Sequence, residues 1–205
     1  MKKCLLCNKD VEHFSIKELV QDEQYICQKC FEKLPIYYRH FNILGIKSFA
    51  LYFYRDEIKN ILLRIKINRD IVLCKVLLSP FLNSLNIEFF DYVIAPVPSV
   101  ESSNKERGFN HVESIFSLMN NKIEPIFVKT QRWKQSEHNL HERQNIRKVI
   151  ALASKIDIKK KYLIVDDIVS SQESIKACIT LLRNVGVKKI KVLVVAYNEL
   201  NSIKK

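Results

Sequence analysis

Glycine is the residue type that this sequence most conspicuously lacks. The 205 residues include 3 glycines, whereas average usage of about 7% would give roughly 14. This scarcity excludes collagen-like repeats and glycine-rich linkers. It also means that few ligand-binding loops can depend on glycine, so each candidate loop needs to be read residue by residue.

Long apolar runs are also missing. No stretch of 18 or more apolar residues occurs, which predicts that no helix spans a membrane. The apolar stretch that follows Lys2 and Lys3 is too short for the core of a secretory signal. We therefore expect a cytoplasmic protein. A composition of 47% hydrophobic and 27% charged residues is typical of a globular fold.

Positive charge is in excess. Lys and Arg number 34 against 22 Asp and Glu, a net charge of +12. Two explanations of this excess are about equally good. One is solubility or a genome biased towards Lys, Ile and Asn, and the other is a polyanionic partner. Nucleic acid, an anionic membrane and a phosphorylated ligand all remain open as that partner.

Four of the six cysteines form two C-x-x-C pairs. Cys4 and Cys7 make the first pair, and Cys27 and Cys30 make the second after a gap of 19 residues. In a reducing compartment this spacing favours metal binding over disulfides, and it fits a four-thiolate zinc site. Such a site has no open position for catalysis, so we predict a structural zinc. Cys74 and Cys178 lie in apolar stretches and are predicted to be buried.

The remaining chain alternates strands and helices, which predicts an α/β fold with a parallel sheet. We divide it into a zinc-ribbon module (1–35), a connecting region (36–88) and a main domain (89–205). Predicted strands cover 48–54, 91–95, 125–128, 162–165 and 190–196, and predicted helices cover 107–119, 173–185 and a stretch around Ile58 and Ile65. Arg55, Lys59 and Lys66 fall on one strip of that last helix, which is either a solvated flank or a basic ridge.

The segment YLIVDDIVSSQES (162–174) is the most informative about function. A buried strand leads to Asp166 and Asp167, and then to a loop with Ser170, Ser171 and Ser174 before the next helix. Ligands of parallel sheets bind at the carboxyl ends of strands, and a helix N-terminus suits phosphate. Acids beside it suit sugar hydroxyls, or Mg²⁺ held with a pyrophosphate. The segment is therefore interpreted as a ribose-phosphate site. The alternative is an ordinary strand–helix turn in which Ser171 or Ser174 caps the helix.

This segment resembles the phosphoribosyl-pyrophosphate motif of type I phosphoribosyltransferases, and the whole chain resembles the ComF family. The likeness runs from residue 4 to about residue 196. It rests on the four cysteines, on DYVIAPVP (91–98), on the tetrad Arg107-Gly108-Phe109-Asn110, on the series Arg132, Gln135, Leu140, Arg143 and Asn145, and on the VDD element.

The resemblance implies a type I phosphoribosyltransferase-like parallel sheet flanked by helices, with a small N-terminal four-cysteine zinc ribbon. It also implies a bacterial competence protein that handles incoming single-stranded DNA during natural transformation. By position, Asp166 and Asp167 match acids that contact ribose hydroxyls, and Ser170, Ser171 and Ser174 match hydroxyls around the 5′-phosphate. Residues 96–98 lie towards the pyrophosphate side.

One position departs from the family pattern. Gln172 stands where the loop usually has glycine, and Glu173 follows it. Glycine permits a positive φ and a close approach of the backbone to phosphate. Gln172 therefore opposes phosphate binding, and catalytic activity stays an open question.

Several polar residues are candidates for contacts with nucleic acid or another anion. They are Arg107, Asn110, Arg132, Trp133, Arg143 and Arg147. Trp133 lies between two cations and either stacks on a base or packs in a core. His111, His138 and His141 are expected at the surface or in hydrogen bonds rather than in catalysis.

Three functions follow. The first is a transformation protein that binds and helps process single-stranded DNA. The second is an active Mg²⁺-dependent phosphoribosyltransferase that uses phosphoribosyl pyrophosphate. The third is an adaptor for a DNA-uptake helicase or a recombination-loading protein.

Overall fold

The computed structural model of the chain describes residues 3–11, 25–99, 108–129, 150–153 and 155–198. The strands are β1 (Ile36–Ile43), β2 (Ile46–Phe53), β3 (Tyr92–Pro96), β4 (Phe127–Lys129), β5 (Ile150–Leu152), β6 (Lys161–Val169) and β7 (Ile190–Tyr197). The α-helices are α1 (Gln28–Phe31), α2 (Asp56–Lys66), α3 (Cys74–Leu78), α4 (Leu82–Glu88), α5 (His111–Phe116) and α6 (Glu173–Asn184).

The main sheet has the strand order β1-β2-β7-β6-β3. Strands β2, β7, β6 and β3 are parallel, and β1 is added at one edge as the antiparallel partner of β2. The predicted α/β fold with a parallel-dominated sheet is thus confirmed. The edge strand β1 was not predicted; its hairpin turns at Leu44 and Gly45, which both have positive φ.

Helices cover both faces of the main sheet. On one face, alternate residues of β6 and β7 such as Leu163 and Leu193 pack in one core with α2, α3 and α5. On the other face, Ile164 and Val194 pack with α6 and with the small sheet of β4 and β5. Strands that are buried on both sides need apolar residues at successive positions, which explains the continuous runs in β6 and β7.

Helix α2 follows its predicted pattern. Ile58, Ile61, Leu62 and Ile65 recur at helical spacing and are all buried. The two isolated cysteines are also buried, as predicted, with Cys74 in α3 and Cys178 in α6. Burial raises the pKa of Cys74 to about 12, so its thiol stays protonated at neutral pH.

The connecting region 36–88 is part of the main sheet, because it supplies β1 and β2. The N-terminal module also shares the core of that sheet through Cys4, Val11, Ile26 and Leu34. The three-part division of the chain stays a prediction, but these contacts show that its parts pack together within the described residues.

One helical stretch, Ile71–Glu88, is long and apolar enough to cross a membrane by length and composition. In the structure it is divided into short helical pieces around Pro80. Leu73, Leu77 and Leu85 lie in the core of the sheet, whereas Ile71, Val72 and Ile87 are exposed. The stretch is thus only partly buried, at 33% of its residues.

Candidate functional site

The two acids of the VDD element lie inside a strand. The predicted strand ended at residue 165, but β6 continues to Val169, and Asp166 is paired with Val194 of β7. Since successive side chains of a strand point to opposite faces of the sheet, Asp166 and Asp167 point to opposite sides. Asp166 is half-buried, and Asp167 is buried with 7% of its surface exposed.

Asp167 forms a buried ionic cluster with residues from two helices. Its Oδ2 atom contacts Nζ of Lys66, at the end of α2, and lies 3.5 Å from Nε2 of His111, at the start of α5. This oxygen makes no hydrogen bond of standard geometry within the described residues. The ammonium group of Lys66 and the imidazole of His111 therefore provide the compensation that a buried carboxylate requires.

The environments of the two acids move their pKa values apart. Burial and the adjacent charge of Asp167 raise the pKa of Asp166 well above its ordinary value. Burial alone would raise the pKa of Asp167 too, but the contact with His111 and the charge of Lys66 hold it below its ordinary range. Asp167 is thus the ionised, fixed member of the pair, and Asp166 is the member that a ligand can reach.

Asn110 sets the position of His111. Asn110 is the N-cap of α5, because its Oδ1 accepts hydrogen bonds from the backbone N–H groups of Val112 and Glu113 at 3.1 and 3.5 Å. Its Nδ2 donates to Oε1 of Glu113 at 2.7 Å. Asn110 therefore has a structural role, and its predicted contact with an anion stays a prediction. Its cap places the buried His111 next to Asp167.

Sequence reasoning missed Lys66 and His111 as parts of this cluster. Lys66 was assigned with Arg55 and Lys59 to a strip at the surface of α2, yet its ammonium group points to the sheet and pairs with Asp167. No local pattern indicates this, because the contact joins residues that are far apart in the chain. For His111, the available signal was the preceding Asn110, because Asn is favoured as the N-cap residue of a helix.

The loop after β6 leads directly into α6. Ser170 and Ser171 are exposed at the carboxyl end of the strand, and Ser174 lies in the first turn of the helix. The N-cap residue is Gln172, and no side chain caps the helix. The alternative in which Ser171 or Ser174 caps α6 is therefore wrong. The side chain of Gln172 makes no hydrogen bond to the first N–H groups of this helix, and a helix N-terminus is a site that suits an anion.

Gln172 adopts the backbone conformation that glycine favours, with φ of 62° and ψ of −3°. The path of the loop is therefore compatible with a glycine, although the residue is not one. The charge of Glu173 is partly balanced, because its Oε1 lies 3.1 Å from Nζ of Lys176.

The end of β3 lies beside this loop. Pro96 is paired with Val165, and the backbone N–H of Val97 donates to the carbonyl of Val165 at 2.9 Å. Residues 96–98 therefore lie at the same edge of the sheet as the acids. The other predicted anion contacts, Arg107, Arg132, Trp133, Arg143 and Arg147, lie outside the described residues.

The four paired cysteines come together as predicted. The Sγ atoms of Cys4, Cys7, Cys27 and Cys30 all lie within 4.8 Å of one another, and those of Cys7 and Cys27 are 3.7 Å apart. A tetrahedral zinc site with Zn–S bonds of about 2.3 Å has sulfur–sulfur edges of about 3.8 Å. Burial opposes ionisation of Cys4, but backbone N–H donors lower its pKa to about 6. Burial and the neighbouring thiols raise the pKa of Cys30 instead, and a bound metal ion would favour its thiolate. The residues thus fit a structural zinc ion.

Comparisons with known proteins agree with this geometry. A family model described as a phosphoribosyl transferase domain matches residues 113–202, which include β6, the loop and α6. The chain carries a phosphoribosyl transferase domain. It is also 27% identical over 148 residues to the competence protein ComFC of Streptococcus pneumoniae (strain ATCC BAA-255 / R6), covering 72% of this chain and 67% of that relative. Together, these matches support a likeness to ComFC.

Proposed function

We propose that this ComFC-like chain is a competence protein, which acts in natural transformation by binding and helping to process incoming single-stranded DNA. The observation that carries the proposal is its similarity to a relative named as a competence protein, over most of both chains. The net charge of +12 supports a polyanionic ligand.

The DNA-binding part of this proposal is tested by fluorescence anisotropy. A labelled oligothymidylate of about 20 nucleotides exceeds the usual site of a single-strand binding domain. We expect binding at low salt, weaker binding to the corresponding duplex, and a steep fall in affinity between about 50 and about 200 mM salt. Absence of binding to the oligonucleotide at low salt would contradict it.

The cellular part is tested by deleting the gene and measuring transformation with a selectable DNA marker. We expect the frequency of transformants to fall and to be restored by the gene in trans. An unchanged frequency in the deletion strain would show that the protein has no role in the process.

A second candidate function is that of a phosphoribosyltransferase that uses phosphoribosyl pyrophosphate with Mg²⁺. The observation that favours it is the position of the half-buried Asp166 in β6, the strand that leads into the loop before α6. The carboxylate would accept hydrogen bonds from ribose hydroxyls, while Ser170, Ser171 and the first N–H groups of α6 would surround the 5′-phosphate. Mg²⁺ would neutralise the pyrophosphate when it is bound.

Calorimetric titration with phosphoribosyl pyrophosphate and Mg²⁺ tests this second function. We expect a binding signal for the wild type that is lost in Asp166→Ala and kept in Asp91→Ala. Asp91 is a suitable control because it is an exposed acid at the opposite edge of the same sheet. A silent titration of the wild type would retire the second function and leave the first untouched.

A further inference from the structure

Lysines line the end of the main sheet at which its parallel strands begin, opposite the end that carries the acids. Since β2, β7, β6 and β3 are parallel, their first residues share this edge. We name it the basic edge, defined by the lysines at or just before the starts of β2, β7 and β6. They are Lys47, Lys159, Lys160, Lys161, Lys188, Lys189 and Lys191.

Acidic side chains balance only part of this charge. Lys160 pairs with Glu124 at 2.9 Å, Lys161 pairs with Asp91, and Lys191 pairs with Glu88. The other lysines at the starts of β6 and β7, namely Lys159, Lys188 and Lys189, are exposed and form no ion pair with any described residue. The basic edge therefore presents a net excess of positive charge to solvent, although Asp91 attracts Lys189 and Asp157 attracts Lys160.

The unpaired lysines surround a common surface pocket. This pocket has a volume of about 370 Å³ and is lined by Ile158, Lys159, Lys160, Gly186, Lys188 and Lys189. Lysine ammonium groups are compact charges that bind phosphates. A pocket with several of them is suited to a phosphate group from a larger polyanion.

Aromatic rings lie at the same end of the sheet, next to the ion-paired lysines Lys161 and Lys191. Phe90 is 83% exposed and directly precedes Asp91, whose carboxylate pairs with Lys161. Nζ of Lys161 lies 5.7 Å, and Nζ of Lys191 5.4 Å, from the centre of the Tyr92 ring. Exposed aromatic rings among cations are the arrangement that holds single-stranded nucleic acid, with phosphates on the cations and a base on the ring.

We propose that the basic edge is the surface through which this protein binds single-stranded nucleic acid, with Lys159, Lys188 and Lys189 on phosphates and Phe90 stacked on a base. This inference rests on the proposed DNA-binding function and names its surface. An anionic membrane is the less suitable partner, because Ile87, Phe90 and Ile158 are the apolar side chains close to this edge that are more than half exposed among the described residues. They are fewer than an interfacial helix needs.

Charge reversal tests the surface. Lys188→Glu/Lys189→Glu changes two exposed lysines, so we expect it to fold with an unchanged melting temperature. Lys59→Glu/Arg69→Glu is the matched control, because it makes the same change of charge at exposed positions around α2. Binding of the labelled oligothymidylate by anisotropy is the readout, with vesicles of mixed phosphatidylcholine and phosphatidylserine as a second probe.

We expect the first variant to bind the oligonucleotide at least tenfold more weakly and to reduce the salt slope by about 1.4, for two lost phosphate contacts. The control should keep most of the affinity, and Phe90→Ala should lose about tenfold with an unchanged slope. If the wild type binds DNA but the two charge variants bind equally, the surface is wrong and the DNA-binding function stands. If the wild type binds vesicles and no oligonucleotide, both are wrong.

Discussion

At the scale of single residues, the shortage of glycine is visible in the backbone. All three glycines have positive φ, and so do five other described residues: Asn8, Tyr38, Leu44, Arg69 and Gln172. A side chain in this left-handed conformation costs about 1 to 2 kcal/mol. At most of these positions the strained backbone belongs to a turn. Gln172 is strained at the end of the candidate phosphate loop, directly before α6.

Replacing Gln172 by glycine should relieve this strain. We expect Gln172→Gly to raise the free energy of unfolding by about 1 kcal/mol, and to tighten binding of phosphoribosyl pyrophosphate if the loop binds it. Urea denaturation measures the first effect, and Gln172→Ala is the control because it keeps a Cβ atom in the left-handed region. A loss of stability in the glycine variant would argue against strain at this residue.

The raised pKa of Asp166 implies a stability that depends on pH. The folded state disfavours the ionised carboxylate, so the wild type loses stability as pH rises from the ordinary value of about 3.9 through the raised folded pKa. Asp166→Asn removes this titration. We expect the variant to gain more stability over the wild type at pH 8 than at pH 4, as measured by urea denaturation. An equal difference at both pH values would contradict the assignment.

Asp167 should behave in the opposite way. Its lowered pKa means that the ionised form stabilises the fold, and that this contribution is lost as pH falls below about 3.9 towards the folded pKa. Removing one member of a buried ion pair costs roughly 3 to 5 kcal/mol, and less where one partner is partly exposed. Lys66 is 31% exposed at its side chain, so we expect Asp167→Asn to lower stability by about 2 kcal/mol at pH 7.

The control for this change is Asp91→Asn, which alters an exposed ion pair and should leave stability almost unchanged. Chemical denaturation of both variants at pH 7 makes the comparison. Equal effects of the two substitutions would show that the cluster of Asp167, Lys66 and His111 contributes no more than a surface contact.

At the scale of elements, local patterns predicted most of what the structure contains. The spacing of Ile58, Ile61, Leu62 and Ile65 predicted α2, and the apolar run 162–165 predicted the buried part of β6. The continuation of β6 through Asp166 to Val169 was not predicted. Polar residues inside this strand are stabilised by pairing with β7 and by contacts with Lys66 and His111. These partners are distant in the chain, so no local pattern predicts them.

The zinc module is packed against the main sheet. Cys4, Val11, Ile26 and Leu34 lie in the same core as Leu51 and Tyr52 of β2. Deleting residues 1–35 would therefore expose this core. A search for helicase or recombination partners of the module needs substitutions at exposed positions such as Lys29 and Lys33 instead.

Loss of the metal should consequently weaken the whole fold. We expect Cys27→Ser to reduce bound zinc from about one ion per chain to none, and to lower the melting temperature of the main domain as well as that of the module. Cys178→Ala, which alters a buried cysteine on the other face of the sheet, is the control and should keep its zinc. A zinc-free Cys27→Ser protein with an unchanged melting temperature would show that the two parts are energetically independent.

At the scale of the whole molecule, one parallel sheet carries two candidate sites at opposite edges. The carboxyl ends of the strands hold Asp166 and the loop before α6, and the amino ends hold the basic edge. The net charge of +12, which composition alone left open, is assigned in part to that second edge. Ligands at opposite edges do not compete for the same atoms, so both should bind at once.

The most direct test of this arrangement is one calorimetric experiment on the wild-type chain. Phosphoribosyl pyrophosphate with Mg²⁺ is titrated into protein that has first been saturated with oligothymidylate. We predict a binding signal with the same stoichiometry as in protein without DNA. A signal that disappears when DNA is bound would contradict separate sites, and a silent titration in both conditions would contradict a sugar-phosphate site at Asp166.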